Sequence, residues 1–199
     1  MWTTSEHDGE VNNVTVNNSA KVYADGNDDY SNVILNDSTE FYTNTTHFGK
    51  VENITANGSA YIAACGDDQY SNVTLNDKSM MQIAKNTVSM QNITIKDNGS
   101  MYLGYLGSEQ VNDYTINGTF TADGGKVKWL RNGNDESHYN QKTLTIDKLV
   151  NNDPAKTTEF VLRTDLDGEK IVESVHIKDA NAGCKIGVSV LDKSKVLSQ

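Results

Sequence analysis

The sequence predicts an all-β fold, a right-handed single-stranded parallel β-helix (a β-solenoid) with about 20 residues and three short strands per coil. The main observation is a five-residue phrase that returns at intervals of 19, 21, 19, 20 and 21 residues. Within each copy, apolar and polar residues alternate with the period of two that is typical of a strand. The copies begin at Asn13, Asn32, Asn53, Asn72, Asn92 and, in a weaker form, Asp113.

A second alternating segment follows each phrase after a turn, as in Ala20–Val22, Ala60–Ile62 and Met101–Leu103. Inward Val, Ile and Leu side chains at equivalent positions would stack into a thin core. This explains why 36% hydrophobic residues suffice here, although globular chains usually have roughly 45–50%. At about 4.8 Å per coil, the 199 residues would form a rod on the order of 45 Å long.

The excess of Asn, 23 residues in all, has a structural explanation in such a fold. The first Asn of each phrase falls at one corner of every coil. Its amide can donate to one neighbouring coil and accept from the other, which predicts a ladder of stacked amides. The predicted ladder consists of Asn13, Asn32, Asn53, Asn72 and Asn92.

A longer repeat is superimposed on the first, because Gly26–Asp37 matches Gly66–Asp77 at twice the interval of the phrase. Tyr30 and Tyr70 occupy the same position in these two segments. We favour an aromatic stack inside the coils. The alternative is an exposed contact face for a sugar or a protein partner.

The acidic loops of the same two segments are candidates for chemistry. They contain Asp25, Asp28 and Asp29 in one copy and Asp67 and Asp68 in the other. We favour solvated turns, in which Asp, Asn and Gly suit the backbone geometry. The alternatives are a calcium site and the paired carboxylates of a polysaccharide-cleaving enzyme. No other cofactor is expected.

The chain divides into two parts at the end of the regular repeats. Residues 1–125 are predicted to form repeat coils, and residues 126–199 the final coils with a C-terminal cap. After Gly124 and Gly125 the period becomes irregular, and the single Pro follows at Pro154. A hairpin-rich cap is the favoured interpretation because the end of a solenoid must be covered. A loosely related set of further coils is the alternative.

Charge and residue usage exclude several function classes. The net charge of −10 argues against nucleic acid as a partner. No nucleophile with a base and an orienting group emerges, so the chain is not expected to be an enzyme. Cys65 and Cys184 would lie on the order of 25–30 Å apart in the rod, too far for a disulfide, and two free thiols are expected.

Residues 11–120 resemble the passenger domains of bacterial autotransporter adhesins (type V secretion), in particular the AIDA-type self-associating ones. The resemblance depends on the phrase N-[VI]-T-hydrophobic-N followed by a turn. A second set of segments resembles the C-terminal part of pertactin-like passengers, an autochaperone-like cap next to the outer-membrane barrel. These segments are Leu144–Leu149, Phe160–Leu166, Lys170–Val172, Gly183 and Ile186–Val188.

The resemblance implies a surface-displayed, non-catalytic adhesin or stalk module at the outer membrane of a Gram-negative-type bacterium. It would mediate self-association, with cell aggregation, biofilm formation and virulence as consequences, or attach to a host glycan or protein. The natural protein would be anchored by an outer-membrane β-barrel that is absent from this chain. The alternatives are a β-helix polysaccharide lyase or hydrolase, and a passive spacer that carries an absent N-terminal binding domain.

Overall fold

The protein is all-β. The computed structural model describes residues 1–4, 6, 8–85, 87–104, 113–129, 142–164 and 173–192. Within these ranges there is no helix, and so no helix that could cross a membrane. The strands are β1 (Glu10–Val16), β2 (Lys21–Ala24), β3 (Asp29–Leu35), β4 (Glu40–Thr43), β5 (Lys50–Ala56), β6 (Tyr61–Ala64), β7 (Gln69–Leu75), β8 (Met80–Ile83), β9 (Ser89–Leu103), β10 (Tyr114–Trp129), β11 (Lys142–Val150), β12 (Thr158–Thr164), β13 (Glu173–Ala180) and β14 (Ile186–Asp192).

The strands form one nearly closed, parallel sheet, with its order set by the repeat. The longer strands β1, β3, β5 and β7 follow one another along one side, and the shorter strands β2, β4, β6 and β8 along the other. The bent strand β9 joins the two sides. Each strand pairs with the strand one repeat away, so that Val33 lies between Val14 and Ile54. Parallel pairing of each copy of the phrase with the next copy is what the sequence predicts.

Each long strand is bent at the first Asn of the phrase. In β3 this residue is Asn32, which has a φ of 53°. Asn adopts this left-handed conformation more readily than other non-glycine residues, because its short polar side chain can bond locally. The bend divides β3 into two short arms, and β4 is the third extended segment of the repeat. The three short strands predicted per repeat are thus present as two continuous strands, of which the first is kinked.

The core lies between the two sides and consists of vertical stacks of equivalent residues. The alternation in each phrase points every second side chain inward, and from the second copy of the phrase onward these side chains are buried, whereas Val14 in the first copy is half-buried. One stack on the long-strand side contains Val33, Ile54, Val73, Ile93 and Phe120. One on the short-strand side contains Val22, Phe41, Ile62, Met81 and Met101. Burying each large side chain contributes about 1.5–3 kcal/mol.

The C-terminal part continues the same pairing with longer intervals. β10 runs without a break through the predicted boundary between residues 125 and 126. Leu144 pairs with Val175 and Thr158 with Ile186, so these partners are further apart in sequence than those of the regular repeats. Every pair formed by β11–β14 is parallel. The prediction of a hairpin-rich cap is therefore wrong for the described residues, since hairpins need antiparallel neighbours. Residues 165–172, including the predicted Lys170–Val172 strand, lie outside the described residues.

Candidate functional site

The first Asn of each phrase forms a continuous row along the long-strand side. Each side-chain amide Nδ2 donates to the Oδ1 atom of the Asn one repeat before, over 3.0–3.2 Å. All five Asn residues have a positive φ of 53–57°. The row is therefore both a hydrogen-bonded ladder and the corner that bends each strand. Its members are Asn13, Asn32, Asn53, Asn72 and Asn92.

A second amide ladder, not predicted from the sequence, lies at the next corner. It is formed by the Asn that ends each phrase, with Nδ2-to-Oδ1 distances of 2.8–2.9 Å. Its members are Asn17, Asn36, Asn57 and Asn76. The signal was present in the sequence, because the phrase both begins and ends with Asn. Two ladders per repeat account for more of the Asn excess than the single predicted ladder.

Fifteen of the outward side chains of β1, β3, β5, β7 and the first part of β9 form a surface that we call the polar face. It has three rows, with the first Asn ladder in the middle. Of its fifteen side chains only Glu52 is charged, although 22% of the chain is charged. A row with three charged members, Glu10, Asp29 and Lys50, borders it. The two outer rows are Asn12, Ser31, Glu52, Ser71, Gln91 and Thr15, Ile34, Thr55, Thr74, Thr94.

The composition of the acidic loops predicts solvated turns, but two of their Asp side chains are not solvated. Asp28 and Asp68 are fully buried, which corrects their placement at the surface. The enzyme alternative requires carboxylates that contact a polysaccharide, and in this structure neither of these two carboxylates can do so. The turn-forming composition correctly predicted the backbone of these loops, but it did not predict which side chains point inward.

The remaining Asp residues of these loops are held by neighbours in adjacent repeats. Asp25 accepts hydrogen bonds from the Asn44 amide and, at 3.0 Å, from the Thr46 hydroxyl. Asp29 Oδ1 accepts from the Lys50 backbone N–H at 2.7 Å. Asp67 accepts from the Thr87 hydroxyl, and this bond, with the nearby Lys85, lowers the pKa of Asp67. Across the described ranges no three His, Cys, Asp or Glu side chains are grouped so that they could hold a metal ion.

A buried hydrogen-bonded chain links Asp28, His47 and Asp68, which belong to three successive repeats. His47 Nε2 lies 3.1 Å from the backbone oxygen of Asp28, and His47 Nδ1 is hydrogen-bonded to Asp68 Oδ1. A carbonyl oxygen only accepts, so Nε2 must carry a proton. One further proton must then lie between Nδ1 and Oδ1, either on the imidazole or on the carboxyl group. In both arrangements the His47–Asp68 pair is neutral as a whole, which makes its burial tolerable.

Gly49 provides the space for this chain. It aligns with Asp28 and Asp68 in the repeats on either side. A Cβ atom at Gly49 would lie 2.4 Å from the Asp28 backbone oxygen and 2.9 Å from His47 Cε1. A side chain here would therefore collide with backbone and with the imidazole ring. The spacing of the four His residues in the sequence gave no hint of this network, because the partners of His47 are one repeat away.

Tyr30 and Tyr70 lie inside the protein, not on the exposed contact face that was the alternative prediction, but they do not stack on each other as the favoured prediction had it, because Val51 lies between them. Each is about 1% exposed. Tyr30 OH is 3.1 Å from Thr3 Oγ1, and Tyr70 OH is 3.4 Å from Thr43 Oγ1. Desolvation raises the pKa of both hydroxyls. The two Thr–Tyr pairs are copies of each other, two repeats apart, so the longer repeat is reproduced in the hydrogen bonds of the core.

A cluster of exposed aromatic residues lies at a different position, on the short-strand side. Trp2 is 73% and Tyr23 is 41% exposed. The Tyr23 and Tyr42 rings are nearly parallel at a centroid distance of 5.1 Å, and the Trp2 ring is tilted toward Tyr23 at 6.2 Å. They line a groove of about 470 Å³, which we call the aromatic groove. In the sequence Trp2 stands as a single residue outside the repeats, and this cluster was therefore missed.

The edge of the aromatic groove contains a charge network. Glu40 accepts from Lys21 Nζ at 2.6 Å and from the Tyr42 hydroxyl at 2.6 Å. These hydrogen bonds lower the pKa of Glu40. Desolvation, together with the Glu40 carboxylate, raises the pKa of Tyr42. The Tyr42 hydroxyl is therefore a fixed donor, and its ring is held in position for contacts in the groove.

Three features of the chain are thus candidates for function: the polar face, the aromatic groove and the buried Asp28–His47–Asp68 chain. The first two are open to solvent and able to contact a partner, whereas the third is enclosed. Their interpretation depends on their own chemistry, because the chain matches no known family model, no curated protein and no solved structure.

Proposed function

We propose that the chain is part of a right-handed, single-stranded parallel β-helix with about 20 residues per coil, and that it is a surface-displayed, non-catalytic adhesin or stalk module. Parallel pairing at regular intervals supports the fold. The resemblance of the repeated phrase to AIDA-type passengers supports a place outside the outer membrane of a bacterium, as part of an autotransporter. The C-terminal coils would then be the part nearest the membrane.

The observation that carries the adhesive function is the polar face. It presents amide and hydroxyl groups, which both donate and accept hydrogen bonds, over five successive repeats. A surface of this kind is complementary to a second copy of itself. Each contact is weak, but contacts repeated along a rigid surface add without further loss of translational freedom.

Charge distribution explains how two copies with a net charge of −10 could approach each other. Only Glu52 is charged among the fifteen side chains of the polar face, so like-charge repulsion is smallest here. The charges lie on the bordering row and on other sides of the molecule. Association through neutral hydrogen bonds depends weakly on salt, in contrast to association through ion pairs.

Sedimentation velocity over a wide concentration range tests this function. The wild-type chain is expected to sediment faster as its concentration rises. The double variant Thr55→Lys/Thr74→Lys places two ammonium groups on adjacent repeats of the polar face and should remain a monomer. Ser38→Lys/Ser59→Lys is the matched control, because these exposed residues lie off the face on adjacent repeats and carry the same charge change.

Two outcomes would contradict the proposal. A wild-type chain that stays monomeric at every concentration would favour the passive spacer. Equal association of both double variants would show that another surface mediates contact. Thermal unfolding of each variant, followed by circular dichroism, confirms that the substitutions leave the fold intact.

A further inference from the structure

The aromatic groove has the position and size of a binding site that is separate from the polar face. It lies at the ends of the short strands β2, β4, β6 and β8 and crosses four repeats. Its volume of about 470 Å³ is in the range of roughly 300–1,000 Å³ that is usual for ligand sites. Small side chains, Ala24 and Ala84, leave the space open. Trp2 and Tyr23 provide exposed aromatic surface at one end.

Polar groups converge on the same space and are held in fixed positions. Asp25 is oriented by Asn44 and by Thr46. At the far end, Lys85 Nζ donates to the Thr45 backbone oxygen at 2.8 Å and is 3.5 Å from Asp67. The lining therefore includes one carboxylate, one amide and one ammonium group. The charges of the lining itself balance, and Asp67, just outside it, adds one negative charge beside Lys85.

This combination identifies the class of ligand. An aromatic surface beside fixed donors and acceptors suits a molecule that has an apolar C–H face and a rim of hydroxyl groups. That is the chemistry of a pyranose ring. The balanced lining and the net charge of −10 favour a neutral saccharide over an acidic one. Four repeats in a row suit a linear chain of sugars rather than a single unit.

An extended peptide fits the groove less well. Peptides that bind beside a sheet usually add a strand to a free edge, where main-chain groups are unpaired. Here β4 is paired with β2 and β6, and β6 is paired with β4 and β8. β2 ends the sheet on this side, and its outer edge is already bonded to Met1 and Thr3 through Tyr23. None of these three strands therefore offers a peptide a fully free edge.

We propose that the aromatic groove binds a neutral, linear oligosaccharide, with a sugar ring packed against Trp2 and Tyr23 and its hydroxyl groups bonded to Asp25, Asn44 and Lys85. This site goes beyond the self-association of the polar face and does not depend on it. A rod with both surfaces could join to its own kind on one side and hold a neutral glycan on another.

Cys65 provides a direct readout, because it lines the groove whereas Cys184, also a free thiol, belongs to the C-terminal part. Burial raises the pKa of both thiols, so alkylation with iodoacetamide is measured above the ordinary thiol pKa of about 8.5. The probes are the neutral tetrasaccharides of β-1,4-glucose, α-1,4-glucose, β-1,4-xylose and β-1,4-N-acetylglucosamine, with tetragalacturonate as the acidic comparison.

At least one neutral tetrasaccharide is expected to slow the alkylation of Cys65 and leave that of Cys184 unchanged. Trp2→Ala should weaken this protection about tenfold, since an aromatic contact of roughly 1–1.5 kcal/mol is removed. Phe48→Ala is the matched control, because Phe48 is also a largely exposed aromatic residue, at 62%, but does not line the groove. This variant should bind normally.

The proposal is overturned if no neutral tetrasaccharide protects Cys65, or if Trp2→Ala binds as well as the wild type. Salt-sensitive binding of tetragalacturonate alone would assign the groove to acidic glycans, which also overturns it. The monomeric Thr55→Lys/Thr74→Lys variant is assayed in parallel and should keep full saccharide binding. A failure of self-association can thus be told apart from a failure of the groove.

Discussion

The regular region and the C-terminal region connect their neighbouring repeats by different polar contacts. Between Asn13 and Asn92 the repeats are joined by amide-to-amide ladders, in addition to carboxylate contacts such as that of Asp25 with Asn44. From β10 onward the described residues form no amide ladder, and carboxylate contacts remain: Asp123 accepts the backbone N–H groups of Asn152 and Asp153, at 2.7 and 3.2 Å, and Lys178 donates to Asp147 at 2.7 Å.

The repeat interval explains this difference. An amide ladder needs the same residue at the same position in every repeat, and the nearly constant interval of the regular region supplies it. Where the interval lengthens, as between Leu144 and its partner Val175, no position repeats one residue type over several repeats, and contacts such as that of Lys178 with Asp147 join unlike residues. A carboxylate can bond to a single ammonium or N–H partner. Such a contact therefore joins two repeats without the same residue in a third. The comparison teaches that parallel stacking depends on inward apolar alternation, while the polar contacts adapt to the regularity of the repeat.

The largest effect is expected from the buried chain in the regular region. His47→Ala leaves Asp68 buried without its hydrogen-bond donor, and breaking a buried pair in this way should lower the free energy of unfolding by about 3–5 kcal/mol. Equilibrium unfolding in urea measures the change. His176 in the C-terminal region is exposed, so His176→Ala is the control and should change stability by less than about 0.5 kcal/mol.

Asp68→Ala and the double variant complete a cycle with His47→Ala. Because both residues belong to one pair, the double variant should lose less stability than the sum of the single variants. Additive losses would contradict the coupling that the structure indicates.

Substitutions at Asn53 separate the two roles of a ladder residue and should have an intermediate effect. Asn53→Gly keeps the positive φ but removes two amide bonds, and we expect a loss of about 1–2 kcal/mol. Asn53→Ala adds the strain of a left-handed backbone, roughly 1–2 kcal/mol more. Urea unfolding compares the two. Asn98, exposed and outside both ladders, is the control position, and equal losses for Gly and Ala at Asn53 would refute the role assigned to φ.

The smallest effect is expected at the C-terminal ion pair. The hydrogen bond from Lys178, followed by that from the Gly118 N–H, lowers the pKa of Asp147. The stability from this pair is therefore complete above the ordinary Asp pKa of about 3.9 and is lost as the pH falls through the lower folded-state pKa. Lys178→Met should raise the pKa of Asp147 and weaken this acid dependence.

A carboxyl NMR titration and unfolding measured between pH 2 and 7 (about the range in which Asp titrates) test this prediction. Lys148→Met, on the same strand as Asp147 and exposed, gives the same change of charge without the hydrogen bond. An unchanged Asp147 titration in Lys178→Met would show that the pair is not formed in solution.

Sequence periodicity predicted the parallel strands and the first Asn ladder because both depend on local alternation and on a constant interval. It did not predict the buried position of Asp28 and Asp68. Whether a turn residue points inward depends on what the adjacent repeat leaves empty, and here that space is created by Gly49. Two signals in the sequence could have predicted the buried position of His47. They are the match between segments two repeats apart and the absence of a side chain at Gly49.

The aromatic groove was missed for a related reason. Trp2 and Tyr23 are brought together by an isolated parallel bridge, outside the recurring phrase. The alternation along β2 places Tyr23 outward, but Trp2 belongs to no alternating segment, so its contact with Tyr23 could not be predicted. The alternative of an aromatic contact face was placed at Tyr30 and Tyr70 instead. The repetition of a whole segment is easier to detect in a sequence than a contact between unlike segments.

The alternation between adjacent repeats sets the step by which such an array of repeats could change its length. Thr3 bonds the backbone N–H of Asp25, and Thr43 bonds that of Cys65; the Thr–Tyr pairs recur with the same two-repeat spacing. Recombination that inserts or removes two repeats together would regenerate these contacts and the Asp–His alternation of the core. An exchange of a single repeat would bring two Asp side chains together with no imidazole between them. Exchange of double units is therefore expected to preserve these buried contacts, whereas exchange of a single unit is expected to disrupt them.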